Sequence, residues 1–371
     1  MELDLTIPQL CGQLLVGGFA GHDLPAVYAD ALRDGRRAGA ILFSRNVASL
    51  DQVAALNTAI VAAAGSVAPP VIAVDQEGGR VRRFREPLLP VPPMRVLGEA
   101  DDLSLTERVA AQMARELRAL GFNLDFAPVM DVDSNPDNPV IGDRSFGRDP
   151  RTVMRHGVAF IRGLQGEGVI GCAKHFPGHG DTSVDSHLEL PVIAHPAERL
   201  RQVELPPFRA AVGAGVGAMM TAHVVCEALD PGIVATMSRA ICTSLLRREM
   251  AFDGALFSDD LEMGAIADRY GIEEAAREAV AAGCDLLLVC SDFDAQERAH
   301  AALVARCEAE PRFLERCREA AGRSLALRRL VPPAVATAVE RDRFIAGGEG
   351  LARELAAIGG NAAGSDPTER A

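Results

Sequence analysis

The chain has 371 residues, 48% of them apolar and 24% charged, the composition of a soluble globular protein with room for one large domain or two small ones. Its formal net charge of −13, with no block of Lys and Arg, excludes the footprint of a nucleic-acid partner. The N-terminus MELDLTIPQL lacks the positive flank of a signal peptide, and no apolar run reaches the ~18 residues of a membrane span, so a cytoplasmic protein with no membrane partner is expected.

Taken in chain order, short apolar runs alternate with longer segments of helical spacing. The runs are QLLVGGF (13–19), AGAILF (38–43), VIAV (71–74), LDFAPVM (124–130), VIGCA (169–173), AMMTA (218–222), ALF (255–257) and DLLLVC (285–290). Each is bounded by Gly or polar residues and is apolar on both alternating sets of positions. Such runs suit parallel strands buried on both faces. Between them, helical spacing covers 50–64, 103–120, 150–165, 200–212, 238–249, 272–282 and 295–308. Ser49 followed by Leu-Asp-Gln reads as a helix N-cap.

Strands alternating with helices imply right-handed βαβ units. Their number and length predict a single α/β domain, a (β/α)8 barrel over residues 1–330. A doubly wound open sheet is the competing architecture, but its Gly-rich phosphate turn is missing: Gly17-Gly18-Phe19-Ala20-Gly21 lacks the G-x-G-x-x-G spacing. After Arg328 the pattern changes. Pro332-Pro333 is a stop, 331–358 is expected to be a helical extension interrupted at Gly347-Gly348, and the small, polar tail 359–371 is expected to be disordered. The eight Cys form no CxxC pair and mostly lie in apolar runs (Cys172, Cys284, Cys290), as buried, reduced thiols would.

Many predicted strands end in polar residues: Asp75-Gln76-Glu77, Asp131, Lys174-His175, His223 and Ser258-Asp259-Asp260. In a barrel these C-terminal ends meet at one mouth, where active sites of this fold lie. One such residue alone reads as a satisfied strand end or helix cap; several converging do not. The densest stretch is CAKHFPGHGDTSVDSH (172–187). There Asp185 and His187 are two apart and face the same way in an extended segment, so the carboxylate can orient the imidazole for acid/base work. His175, His179, Asp181, Asp185 and His187 together could also ligate zinc or iron. Of Asp259 and Asp260, one should face the mouth, where it could act as a nucleophile; the pattern does not say which. Arg80, Arg82, Arg83 and Arg144 could fork onto a polar ligand, with salt bridging to nearby acids the preferred reading for Arg82. His223 reads equally as a pocket residue or a core histidine.

The segments ILFSRNV (41–47), VDQEGGRVRRF (74–84), NLDFAPVMDV (123–132), GDRSFG (142–147), KHFPGHGDTSVDSH (174–187) and FSDDLEMGAI (257–266) resemble, in order, those of glycoside hydrolase family 3. The resemblance is to the bacterial β-N-acetylglucosaminidases of peptidoglycan recycling. It implies a lone (β/α)8 catalytic domain and a retaining mechanism through a covalent glycosyl-enzyme. It places the nucleophile at Asp259, an unusual acid/base at His187 with Asp185 as its partner, and sugar contacts at Asp75, Arg83, Arg144, Lys174 and His175. It implies no metal and no organic cofactor, a small GlcNAc-containing muropeptide as the ligand, and a monomer. The stretch Val234-Ala235-Thr236-Met237-Ser238 departs from the family's P-A-T-x-S without losing a catalytic group. The absence of Trp favours a short substrate taken from its non-reducing end. A metal-dependent hydrolase using the 175–187 loop, a non-catalytic sugar sensor, and β-glucosidase or phosphorylase activity are the alternatives.

Overall fold

A computed structural model describes residues 4–65, 67–182, 190–359 and 366–370. Eight strands close a parallel barrel: β1 Leu15–Gly17, β2 Gly39–Leu42, β3 Val71–Val74, β4 Leu124–Asp125, β5 Ile170–Phe176, β6 Ala218–Thr221, β7 Ala255–Asp260 and β8 Leu286–Val289. Each strand pairs with its sequence neighbours, and β1 closes the ring on β8 with Val16 opposite Leu288. Every strand lies within or against one of the eight apolar runs.

The double burial read from those runs has a simple geometric origin. Alternate residues of a strand point to opposite faces. Ile41 and Phe43, Leu124 and Phe126, Ile170 and Cys172, Met220, Phe257 and Leu288 form the barrel interior. The intervening residues Ala40, Leu42, Ile72, Val74, Ala173, Met219, Leu256 and Leu287 pack outward under the helices. Phe126 and Phe257 meet edge to face at 5.3 Å inside the barrel. Gly39 is required where β2 meets β3, since a Cβ there would lie 2.0 Å from the Val71 carbonyl oxygen.

The helices start where side chains can satisfy their first amides. Ser49 Oγ accepts from Gln52 N–H (3.1 Å), Asp102 from Leu105 N–H (3.0 Å) and Asp149 from Thr152 N–H (3.1 Å). The single helix expected over 200–212 is two, Ala197–Gln202 and Leu205–Gly213. Pro206 and Pro207 cannot donate back into a preceding turn, so they open a new helix instead. The helix Pro311–Leu330 was not among the segments singled out in the sequence. It carries Leu327 into the barrel interior.

The extension is two helices, Ala338–Gly347 and Glu349–Ile358, parted at the Gly pair as expected. It lies on the helix Leu103–Ala119: Gln112 Nε2 donates to the Phe344 carbonyl (2.8 Å), and Leu355 is buried in the same cluster as Val109. All eight Cys are buried and none is disulfide-bonded. Among the described residues no helix is long and apolar enough to cross a membrane. Truncating the interior aromatic by Phe126→Ala should destabilise the fold by about 3–5 kcal/mol, read as a lower urea midpoint at unchanged slope.

Candidate active site

The strand ends build one mouth. Its cavity, about 50 Å³, is lined by Asp75, Arg144, Lys174, His175, His179, Asp259 and Asp260 above an apolar floor of Ile41, Phe43, Met220, Leu288 and Cys290. A hairpin after β3, Gln76–Gly78 paired with Val81–Arg82, brings the next arginine in. Its turn needs Gly78 and Gly79, whose φ values are +105° and +57°. The Gln76 side-chain oxygen then accepts from the backbone N–H of both Arg83 (2.9 Å) and Phe84 (3.1 Å). Arg83 is thereby aimed at the mouth, with its guanidinium 5.3 Å from the Phe43 ring centre.

Five buried charges interlock there. Lys174 Nζ lies 2.6 Å from both Asp75 Oδ1 and Glu77 Oε1. Arg144 forks onto Glu77 through Nε and Nη2, each at 2.8 Å, and Arg83 Nη2 reaches Asp75 Oδ2 at 3.3 Å. Burial disfavours these charges, but the partners win. Against that burial, Arg144 and Lys174 hold the Glu77 carboxyl well below the usual carboxylate range. Against their own burial, Glu77 raises Arg144 and Asp75 with Glu77 raises Lys174, so both cations stay charged.

The second cluster centres on Asp131. Its carboxylate accepts from the backbone N–H of His175 (3.1 Å) and His179 (2.7 Å) and faces His175 Nδ1 at 2.7 Å. Despite complete burial, the two histidines keep Asp131 below its ordinary pKa. Burial and the neighbouring His175 push His179 down to about 4, so it is neutral near pH 7. Its Nδ1 lies 2.7 Å from Thr182 Oγ1.

The pair at the end of β7 is resolved. Asp259 is half-buried on the cavity wall, and its Oδ1 accepts the Asp260 N–H at 2.8 Å. Asp260 is 5% exposed; its Oδ1 accepts from the amides of Glu262 (3.1 Å) and Cys290 (3.2 Å), while Oδ2 is buried without a hydrogen-bond partner. Burial, with Glu262 nearby, pushes Asp260 up to about 7. Asp125 at the end of β4 behaves alike: burial raises it well above the usual range, and its Oδ1 accepts the Gln76 N–H (2.9 Å).

The structure therefore brings Asp75, Arg83, Arg144, Lys174, His175 and Asp259 to one mouth. Asp185 and His187 lie outside the described residues. Glu77 and Asp131 were visible only as strand-end polar groups, and Asp260 only as one of two candidate nucleophiles. For Glu77 the signal was the opposite charge of Lys174, two strands on around the barrel. His223 is a core histidine, 0% exposed, with Nδ1 2.8 Å from Thr236 Oγ1 and Nε2 2.9 Å from the Asp260 carbonyl. Arg82, expected to salt-bridge, has no ion pair among the described residues; burial and the like charge of Arg85 lower the pKa of its half-buried guanidinium. Arg80 ties the hairpin to the following loop through the Val140 carbonyl (2.8 Å) and Asp143 (3.4 Å).

Among the described residues, the side chains close enough to share a metal ion are Cys11, Cys307 and Cys317, buried between helices. His175, His179 and Asp181 do not converge in that way; Asp181 instead pairs with His195 and Ser134.

Residues 6–318 match the model of the glycosyl hydrolase family 3 N-terminal domain. The β-hexosaminidase of Stenotrophomonas maltophilia strain K279a is 40% identical over 294 residues, 78% of this chain and 86% of that one. The solved glycoside hydrolase family 3 β-N-acetylglucosaminidase of Paenibacillus sp. str. FPU-7 is 39% identical, with a TM-score of 0.88 over 95% of this chain and 69% of that one. NagZ from Neisseria gonorrhoeae, solved with N-trifluoroacetyl-D-glucosamine, is 32% identical, with a TM-score of 0.75 over 94% of this chain and 98% of that one.

Asp260 gives a pH test. With its folded pKa near 7 and its unfolded value near 3.8, the folded state keeps a proton that the unfolded chain releases. Stability from this group is present below pH ~4 and is lost as pH rises towards 7. Asp260→Asn does not titrate. Between pH 5 and pH 8 the wild type should lose roughly 1–3 kcal/mol relative to that variant in urea unfolding; parallel profiles would refute the buried, protonated acid.

Proposed function

Because the chain belongs to glycosyl hydrolase family 3 and is a glycoside hydrolase of β-N-acetylhexosaminidase type, we propose that it is a retaining exo-β-N-acetylglucosaminidase. Its substrates would be small muropeptide fragments such as GlcNAc–1,6-anhydro-MurNAc. The observation that carries the reading is the placement of Asp259 on the same cavity wall as Asp75, Lys174, Arg144 and His175.

Asp259 attacks the anomeric carbon, and a covalent glycosyl-enzyme forms as the leaving oxygen departs. His187, oriented by Asp185, gives that oxygen its proton and then takes one from the water that releases the sugar. Both residues lie outside the described residues, and their roles rest on the motif. The charged donors Lys174, Arg83 and Arg144, with the acceptor Asp75 and the ring of His175, bind the sugar hydroxyls. Their mutual ion pairs hold them before substrate arrives, so little reorganisation is needed as charge develops. Asp260, beside the nucleophile, is protonated up to about pH 7. It therefore adds little like charge to the nucleophile below that pH. With no Trp in the chain to build aromatic platforms, a terminal sugar is a better substrate for this mouth than a long glycan. The sugar in the solved NagZ complex, N-trifluoroacetyl-D-glucosamine, is of the same class.

Asp259→Asn should cost at least about a thousandfold in kcat while the unfolding midpoint stays near that of the wild type. Proton NMR of the wild-type reaction should show the β-anomer of GlcNAc as first product. An initial α-anomer would overturn the covalent route, and near-normal turnover by Asp259→Asn would overturn the role of that residue.

A further inference from the structure

The C-terminal tail returns to the mouth. Arg83, 4% exposed, donates from Nη1 to Asp366 Oδ2 (2.5 Å) and from Nη2 to Thr368 Oγ1 (2.7 Å). Asp366 Oδ1 in turn accepts the Thr368 N–H (2.8 Å) and hydroxyl (2.7 Å), which leaves the hydroxyl oxygen turned to the arginine. Pro367 between them is buried, and Thr368 lines the same cavity as Lys174 and Asp259. The carboxylate and hydroxyl thus take the donors by which Arg83 would hold a sugar.

The remaining space is too small for a substrate. A cavity of about 50 Å³ has room for only a few waters, each needing ~10–15 Å³ on this measure. Ligand pockets usually span ~300–1,000 Å³. With Thr368 on its wall, the cavity leaves little room for a sugar ring. The sequence from 359 on is small, polar and poor in apolar side chains, a composition that gives little hydrophobic drive to hold it in place.

We propose that Asp366–Thr368 is a self-ligand of the barrel mouth, a carboxylate–hydroxyl pair that occupies Arg83 and that a sugar must displace in order to bind. This rests on the sugar-site reading of Arg83 and adds a regulation of that site. The tail lowers the fraction of chains competent for substrate, and apparent affinity falls by that fraction. Anything that draws the tail away raises activity at low substrate without touching the chemistry.

The test uses the full chain carrying Asp366→Ala and Thr368→Val, neither of which touches the reacting atoms. KM for p-nitrophenyl N-acetyl-β-D-glucosaminide should fall about three- to tenfold with kcat unchanged. An unchanged or higher KM would overturn the proposal. A second measurement needs no turnover: a fluorescein-labelled peptide of residues 359–371 should raise its anisotropy on binding this variant, bind the wild type more weakly because its own tail competes, and be displaced by GlcNAc. Failure of the peptide to bind the variant would overturn the tail docking. Absence of glycosidase activity in both proteins, with peptide binding intact, would count against the glycosidase reading alone.

Discussion

The mouth depends on one buried charge lattice, in which Lys174 and Arg144 share Glu77 while Lys174 and Arg83 share Asp75. An isolated ion costs several kcal/mol or more to bury, so none of these groups is tolerable without the others. Each comes from a different place. Asp75 and Glu77 follow β3, Lys174 lies within β5, Arg83 leaves the hairpin, and Arg144 sits in the turn Gly142–Arg144. The lattice therefore fixes how the ends of β3 and β5 and the intervening loop lie against one another. Hydrophobic burial builds the barrel; the ion pairs fix its functional end. The same constraint makes the mouth ready for a polar ligand, because its donors are charged, oriented and already shielded from bulk water.

Around this lattice the carboxyl groups divide by environment. Glu77 and Asp131 have cations or ring and amide N–H groups against them and remain ionised, although both are fully buried. Asp125 and Asp260 accept backbone amides but have no cation paired with them among the described residues, and burial raises both. Each also has one buried oxygen without a hydrogen-bond partner among the described residues. Neighbouring carboxyl groups can thus occupy a crowded mouth without every one carrying charge. Asp259, the proposed nucleophile, is half-buried on the cavity wall.

Much of this was legible in the sequence. The runs at 71–74 and 286–290 are apolar at every second position on both registers, and that pattern specified strands covered on two sides. Lys174-His175 and Asp75-Gln76-Glu77 at the ends of such runs pointed to a single mouth. The split at Val203-Glu204 was harder to see, because apolar spacing continues through Pro206 and Pro207. The division of labour between Asp259 and Asp260 was not visible at all, since it depends on which carboxylate meets the amides of Glu262 and Cys290. Nor was the tail partner of Arg83: Asp366 lies in a polar tail whose composition predicts disorder, and its contact spans 283 residues of sequence. Asp185 and His187 stand on the motif alone.

The most direct measurement is the release of p-nitrophenol from its N-acetyl-β-D-glucosaminide by the purified full chain after dialysis against EDTA. Steady turnover that survives chelation is the predicted result, since the proposed route uses only Asp259 and the His187–Asp185 pair for its bond-making and proton transfers. Activity lost on chelation and restored by zinc would contradict it and would return the 175–187 segment to the role of a metal site.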